Sequence, residues 1–354
     1  MIGIDYDLWK KVCLNIKNYA KIYGKFYIQL YPFTFDDFYD YMSSEIFYNN
    51  FIKSGAIFEI NNFEFPKNYA IKSDGTIRKR YLLTPIIYLY YIAIGEYVSN
   101  KFKPACISNN YSCYYAGDFT KKEYHYKKAY NRYILKIKTC ATNYNYYLKM
   151  DITSFFNNID LKILKKTLIN SSTLTETEAN VIEKVLSLCG NGKMPQTECG
   201  ITSSYLSTVC YMDLLDKKML EYLTKYKYFS KFEIVRYVDD LFIFFSLNKR
   251  VTLTRIENDI TNYLNNIYYQ YGLCINKSKT CLKKTKRIYE DIKSFSIFED
   301  LETDIGLDSI YTKNTIIKFL NILVSCVNKY GINYKEYNNI INRVFNSKKE
   351  RYHA

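Results

Sequence analysis

The chain has 354 residues, 48% of them apolar, which excludes a disordered chain and suits one large domain or two to three subdomains. Fifty Lys and Arg against 35 Asp and Glu give a net charge of +15, which favours a polyanionic partner: nucleic acid or an anionic membrane surface. Ten cysteines without a C-x-x-C pair, and only His125 and His353, argue against a dedicated zinc site and leave a reduced, cytoplasmic protein as the simplest reading.

At the amino terminus, "MIGIDYDLWKKVCLNIKNYAKIYGK" carries a charge every few positions and no apolar run, so no signal peptide is expected. Apolar positions at three and four spacing in "YDLWKKVCLNIKNYAKIY" and "FDDFYDYMSSEIFYNNFIKSG" predict helices up to about residue 60. Near residue 66 the pattern changes. "FPKNYAIKSDGTIRKRYLLTP" has short β-type runs on either side of Ser73-Asp74-Gly75, predicting a hairpin, and then a helix from Pro85 with Thr84 as its cap. The apolar stretch "YLLTPIIYLYYIAIGEYV" is broken by Thr84, Pro85 and Glu96 and falls short of a membrane span.

Between 105 and 145 a polar, Tyr-rich, basic region predicts helix and surface loop. "YYLKMDITSFFNNID" predicts a strand running out into a turn, and residues 161 to 190 read as helical with a stop at Cys189-Gly190. A helix after Gly200, a hairpin over 234 to 245, a helix over 252 to 271 and short strands to about 298 complete an α+β core. From about 312, two helical patterns flank Gly331. With no repeat and no long linker, the subdomains are expected to pack on one another. The 40 tyrosines invite a reading as base-stacking platforms, but a composition bias over the whole chain is the simpler account.

The chemistry concentrates in "IVRYVDDLFIFF". Asp239 and Asp240 repel one another unless one is protonated or a cation neutralises them. A hard cation such as Mg²⁺, which binds through few carboxylates plus substrate phosphates, resolves the conflict. An exposed Asp-Asp hairpin turn is the ordinary alternative. Asp151 in "YLKMDITSFFNNID" adds a second strand end with a carboxylate. Taken singly it reads as a cap; together with Asp239 and Asp240 it fits a two-ion arrangement for phosphoryl transfer.

Tyr237-Val238-Asp239-Asp240 between apolar strands resembles the Y-x-D-D signature of reverse transcriptases, and "DITSFFNNI" resembles the metal-binding strand that precedes it. Between them, "MPQTECGITSSYLSTVCYMDLLD" is similar to the family's P-Q-G…S-P-x-L-S-N segment, and "YGLCINKSKT" downstream to G-L-x-L-N-x-x-K-T. The match covers about residues 66 to 300. The resemblance implies a right-hand polymerase of α+β class: an N-terminal helical segment (1–65), fingers (66–145), a palm of antiparallel sheet packed on helices (146–300) and a helical thumb (301–354).

It also implies roles. Asp151, Asp239 and the carbonyl of Ile152 would hold two Mg²⁺ ions (Mn²⁺ as a substitute), with Asp240 in support. Phe156 would close over the sugar and favour deoxynucleotides. Lys279 would protonate pyrophosphate. Lys72 and Arg78 would clamp the triphosphate, with Arg80 on the same face of the strand. Gln196 and Gly200 would line the nucleotide pocket. The sequence departs from the family where Thr197-Glu198-Cys199 stands between Gln196 and Gly200, and where Ser203-Ser204 has no proline after it.

No RNase H, maturase or endonuclease region is expected after the thumb, and the N-A-x-x-H and V-T-G sequences of retron enzymes are not found. What remains resembles the stand-alone bacterial reverse transcriptases of phage defence and abortive infection. The implied partners are an RNA template, a noncoding RNA in some members, the DNA product, dNTPs and a companion defence protein or second polymerase. An oligomer stays open, and no membrane partner is expected. Two other readings also stay open: a template-independent or protein-primed nucleotidyltransferase on the same fold, and a non-catalytic nucleic-acid-binding subunit.

Overall fold

In the computed structural model, residues 2–24, 27–58, 65–71, 77–289, 291, 292, 321 and 324 are described. The expected thumb and its two helical patterns therefore lie outside the described residues, apart from those last two positions. The chain divides into two compact units, one of residues 1–72 with 76–282, the other of residues 73–75 with 283–354. All that follows concerns the first.

Helix α1 (Tyr6–Tyr23) starts at Asp5, whose carboxylate accepts from the Leu8 N–H at 2.8 Å, and its apolar spacing turns Trp9, Val12 and Ile16 inward. A 3₁₀ segment, Ile28–Thr34, follows it. Next come α2 (Asp36–Met42), α3 (Glu45–Phe47) and a π-helical turn over Tyr48–Lys53. The Trp9 indole N–H donates to the Met42 carbonyl at 2.8 Å and closes α1 on α2.

The expected hairpin is present as β1 (Lys67–Ile71) and β2 (Ile77–Tyr81), antiparallel with Lys67 against Tyr81. Helix α4 (Pro85–Lys101) begins at Pro85, although Thr84 makes no side-chain capping bond. It is apolar all round because it is enclosed all round: Ile87 to Val98 are all buried. Its buried Glu96 meets Lys11 of α1 and the Tyr124 hydroxyl. Among the described residues no helix is long and apolar enough to cross a membrane.

The polar region from 105 to 145 contains a strand that its sequence did not announce, β3 (Tyr111–Tyr114), before α5 (Tyr126–Asn143). Then follow β4 (Tyr146–Met150), α6 (Leu161–Ser171) and α7 (Glu176–Gly190). The single helical stretch expected over 161–190 is thus two helices, because Thr175 starts the second with a capping box to Glu178. Helix α8 (Ile201–Tyr205) runs through a π-helical turn, Leu206–Tyr211, towards α9 (Asp213–Thr224). Strands β5 (Phe229–Tyr237) and β6 (Asp240–Leu247), helix α10 (Leu253–Tyr269) and β7 (Cys281–Lys284) complete the order.

The sheet runs β3-β5-β6-β4-β7, with β3 parallel to β5 and the β5/β6 and β6/β4 pairs antiparallel. Both faces of its centre are covered, which explains the unbroken apolar run "LFIFF". On one face Tyr133 of α5 packs on Tyr237 and Phe242. On the other, the fully buried Arg236 pairs with Asp216 of α9 and donates to the Tyr268 hydroxyl of α10. That ion pair pins β5 to both helices one residue before the strand ends.

Candidate active site

Strand register assembles the carboxylates. The β4/β6 pairing ends with Met150 against Leu241, and one further step sets Asp151 against Asp240. Like charges directly opposite one another on a sheet repel. Burial pushes the Asp240 carboxyl above its ordinary value; Lys149 draws it down, Asp151 pushes it up, and Lys279 draws it down again. The two carboxylates therefore feel each other, with a lysine on either side.

Asp239 stands in the turn between these strands. Tyr237 pairs with Asp240, leaving Val238 and Asp239 as a two-residue connection. Val238 has φ +55°, the left-handed value that primed hairpin turns use and that a β-branched residue rarely adopts. Its N–H donates to the Tyr114 carbonyl of β3 at 3.2 Å, and its side chain is buried. The strained turn is thus held by the sheet's parallel edge strand and by packing.

Asp151 is buried and well held. Asn276 Nδ2 donates to its Oδ2 at 3.2 Å, and Lys279 Nζ lies 3.5 Å from the same oxygen. Ile152 bridges Ile275, but the bonds of that bridge run from Asn276 N to Asp151 O and from Thr153 N to Cys274 O. The bridge therefore leaves the Ile152 carbonyl outside the pairing. The 3₁₀ turn Phe155–Asn158 follows at once; Phe156 is half-buried in it, its ring centroid 5.4 Å from that of Phe155.

The expected nucleotide-pocket residues are brought together in part. Asn157, beside Phe156, accepts from Gln196 Nε2 at 2.9 Å. The Gln196 carbonyl accepts from the Tyr81 N–H at 2.7 Å, next to Arg80 on β2. Gly200 precedes α8, where an added Cβ would lie 3.2 Å from the Thr197 carbonyl. The departure from the family pattern is folded inward: Thr197 and Glu198 are buried, and Cys199 takes φ +49°. Lys72 and the side chain of Arg78 lie outside the described residues; the backbone of Arg78 is opposite Ala70.

Two side chains that the sequence reading passed over belong to this site. Lys149 stands two residues before Asp151, on the same face of its strand, with Nζ 5.5 Å from the Phe242 ring centre. Asn276 lies inside the quoted "YGLCINKSKT" stretch. Period-two alternation could have found Lys149, but only the β4/β6 register shows that it reaches Asp240.

Among the described residues no three His, Cys, Asp or Glu side chains are grouped so as to hold a metal ion. Two opposed carboxylates with hard oxygen donors nonetheless suit Mg²⁺, which needs only one or two from the protein when substrate phosphates supply the rest.

A family model described as reverse transcriptase (RNA-dependent DNA polymerase) matches residues 118–324. No curated protein sequence matches the chain. Among solved structures, it is similar to telomerase from Candida albicans in complex with a TWJ fragment of telomeric RNA, at 12% identity and a TM-score of 0.31, over 61% of this chain. The chain spans 43% of that telomerase chain.

Proposed function

The chain belongs to the reverse transcriptase (RNA-dependent DNA polymerase) family, and on that premise we propose that it extends a 3′-hydroxyl with deoxynucleotides on an RNA template. The observation that carries this reading is the register that opposes Asp151 and Asp240, with Asp239 in the turn beside them. A protein that only bound a phosphate backbone would gain nothing from carboxylates gathered at one strand end.

In this reading residues 1–65 are a helical segment, 66–145 the fingers, 146–300 the palm and 301–354 the thumb. Asp151, Asp239 and the Ile152 carbonyl hold two Mg²⁺ ions, and Asp240 supports them. When bound, the ions neutralise charge at the attacking and leaving oxygens. Phe156 excludes a 2′-hydroxyl. Lys279, held near the carboxylates by its contact with Asp151, gives its Nζ proton to the departing pyrophosphate. Arg80 and Arg78, with Lys72, bind the triphosphate.

The test is primer extension on RNA with dNTPs in Mg²⁺. Asp239→Ala should lower the rate per protein about a thousandfold or more. Wild-type activity in that variant removes the ligand assignment. Extension without a template moves the reading to a template-independent transferase. Nucleic-acid binding with no incorporation by the wild type leaves a binding subunit. A role in phage defence rests on the sequence resemblance alone; it requires the same Asp239→Ala variant to lose protection in a host challenged with phage.

A further inference from the structure

Three stretches far apart in the chain meet at Gln29, and none of the family-like motifs contains it. Gln29 lies in the 3₁₀ segment after α1 and is 3% exposed. Its side-chain amide pairs with both backbone groups of Leu83, Nε2 donating to the carbonyl at 2.8 Å and Oε1 accepting from the N–H at 2.8 Å. Its own N–H donates to Glu198 Oε2 at 3.2 Å.

Leu83 and Glu198 each lie two residues from a partner in a second junction. The Tyr81 N–H donates to the Gln196 carbonyl at 2.7 Å, and Tyr81 bridges Thr197 in parallel. Gln29 thus grips the end of the strand that carries Arg80 with its side chain. With its backbone it grips the loop that carries Gln196. Glu198 is one of the three residues by which this loop departs from the family pattern, and it is buried at 6% exposure. Arg80 and Glu198 act with opposite sign on the Cys199 thiol, so both charges face the same small volume.

We propose that Gln29 is a positioning residue for the nucleotide pocket: by bonding Leu83 and Glu198 together it fixes the spacing between Arg80 and Gln196. The amino-terminal segment is then a working part of the pocket, and Glu198 is the anchor that accommodates the altered loop. The inference rests on the polymerase reading above, because Arg80 and Gln196 take their nucleotide roles from it.

The experiment compares wild type, Gln29→Ala, Gln29→Glu and Glu198→Gln, with rates normalised to active sites by a single-turnover burst. Gln29→Ala removes both bonds to Leu83 and should raise KM for dNTP about five- to thirtyfold. kcat per active site should stay within about twofold, and KM for template-primer should not change. Gln29→Glu keeps an acceptor for the Leu83 N–H but loses the donor, so its KM should fall between the two. Glu198→Gln should move KM in the same direction by less. A fall in active fraction or melting temperature with unchanged dNTP KM overturns the proposal and leaves Gln29 a structural residue.

Amide hydrogen exchange gives a readout that needs no catalysis. In Gln29→Ala the Tyr81 N–H, which Gln29 does not touch, should lose protection together with the Leu83 N–H. Loss at Leu83 alone overturns the coupling between the two junctions. A wild type that shows this coupling but incorporates no nucleotide would instead remove the polymerase reading and leave the structural clamp standing.

Discussion

Phe156 shows how a residue's role follows from its immediate surroundings. Its ring leaves the strand end on a 3₁₀ turn, rests on Phe155 and is followed by Asn157, which holds Gln196. A half-buried ring on a short, doubly braced turn cannot easily swing away from a sugar placed beside it. Phe156→Ala should therefore raise ribonucleotide incorporation relative to deoxynucleotide by roughly ten- to a hundredfold. Competition assays with paired dNTP and rNTP check it, and an unchanged ratio removes the steric role. The three aspartates and this ring were legible in the sequence because their spacing is local and periodic. Gln29 was not: its partners lie 54 and 169 positions away, and nothing in "IYIQLYPF"-like local pattern distinguishes a glutamine that bonds a distant backbone from one in solvent.

At the scale of elements, capping decided what periodicity left ambiguous. Burial alone would raise the Glu178 carboxyl, but bonds from Tyr97, from the Thr175 N–H and hydroxyl, and the Lys101 charge outweigh it and bring it down to about 2. A carboxyl depressed in the folded chain contributes stability that is present above its ordinary value of 4.5 and is lost as pH falls towards about 2. Denaturant unfolding across that window should show wild type losing stability that Glu178→Gln has already lost, so the two curves converge as pH falls. Parallel curves remove the assignment. Thr175 and Glu178 could be read as a capping box from sequence, whereas β3 could not be read as a strand. Four polar and aromatic residues become one only because Ile234 to Tyr237 pair with them.

For the whole molecule, the net charge of +15 bears on binding more than on folding. Affinity for nucleic acid should fall linearly on a log-log plot against salt. With six or more phosphate contacts, the loss is about a thousandfold or more between roughly 50 and 200 mM. A flat response in a filter-binding titration would show that the basic surplus does not face the phosphates. Composition gave this property directly, since charge adds up without regard to fold. The meeting of the N-terminal segment, the β2 end and the Gln196 loop was invisible at this scale, because only tertiary packing brings them together.

The strand order has a consequence for how the chain is made. β5 and β6 occupy the middle of the sheet, between β3 and β4, yet both leave the ribosome after them. Until about residue 247 has been synthesised, β3 and β4 wait on opposite sides of a gap, with no ladder between them. The hairpin that carries Asp239 and Asp240 is therefore the keystone of assembly as well as the edge of the site. A nascent chain released before Phe229 contains none of the β3, β5, β6 and β4 pairings, and its exposed strands fall to chaperones rather than to one another.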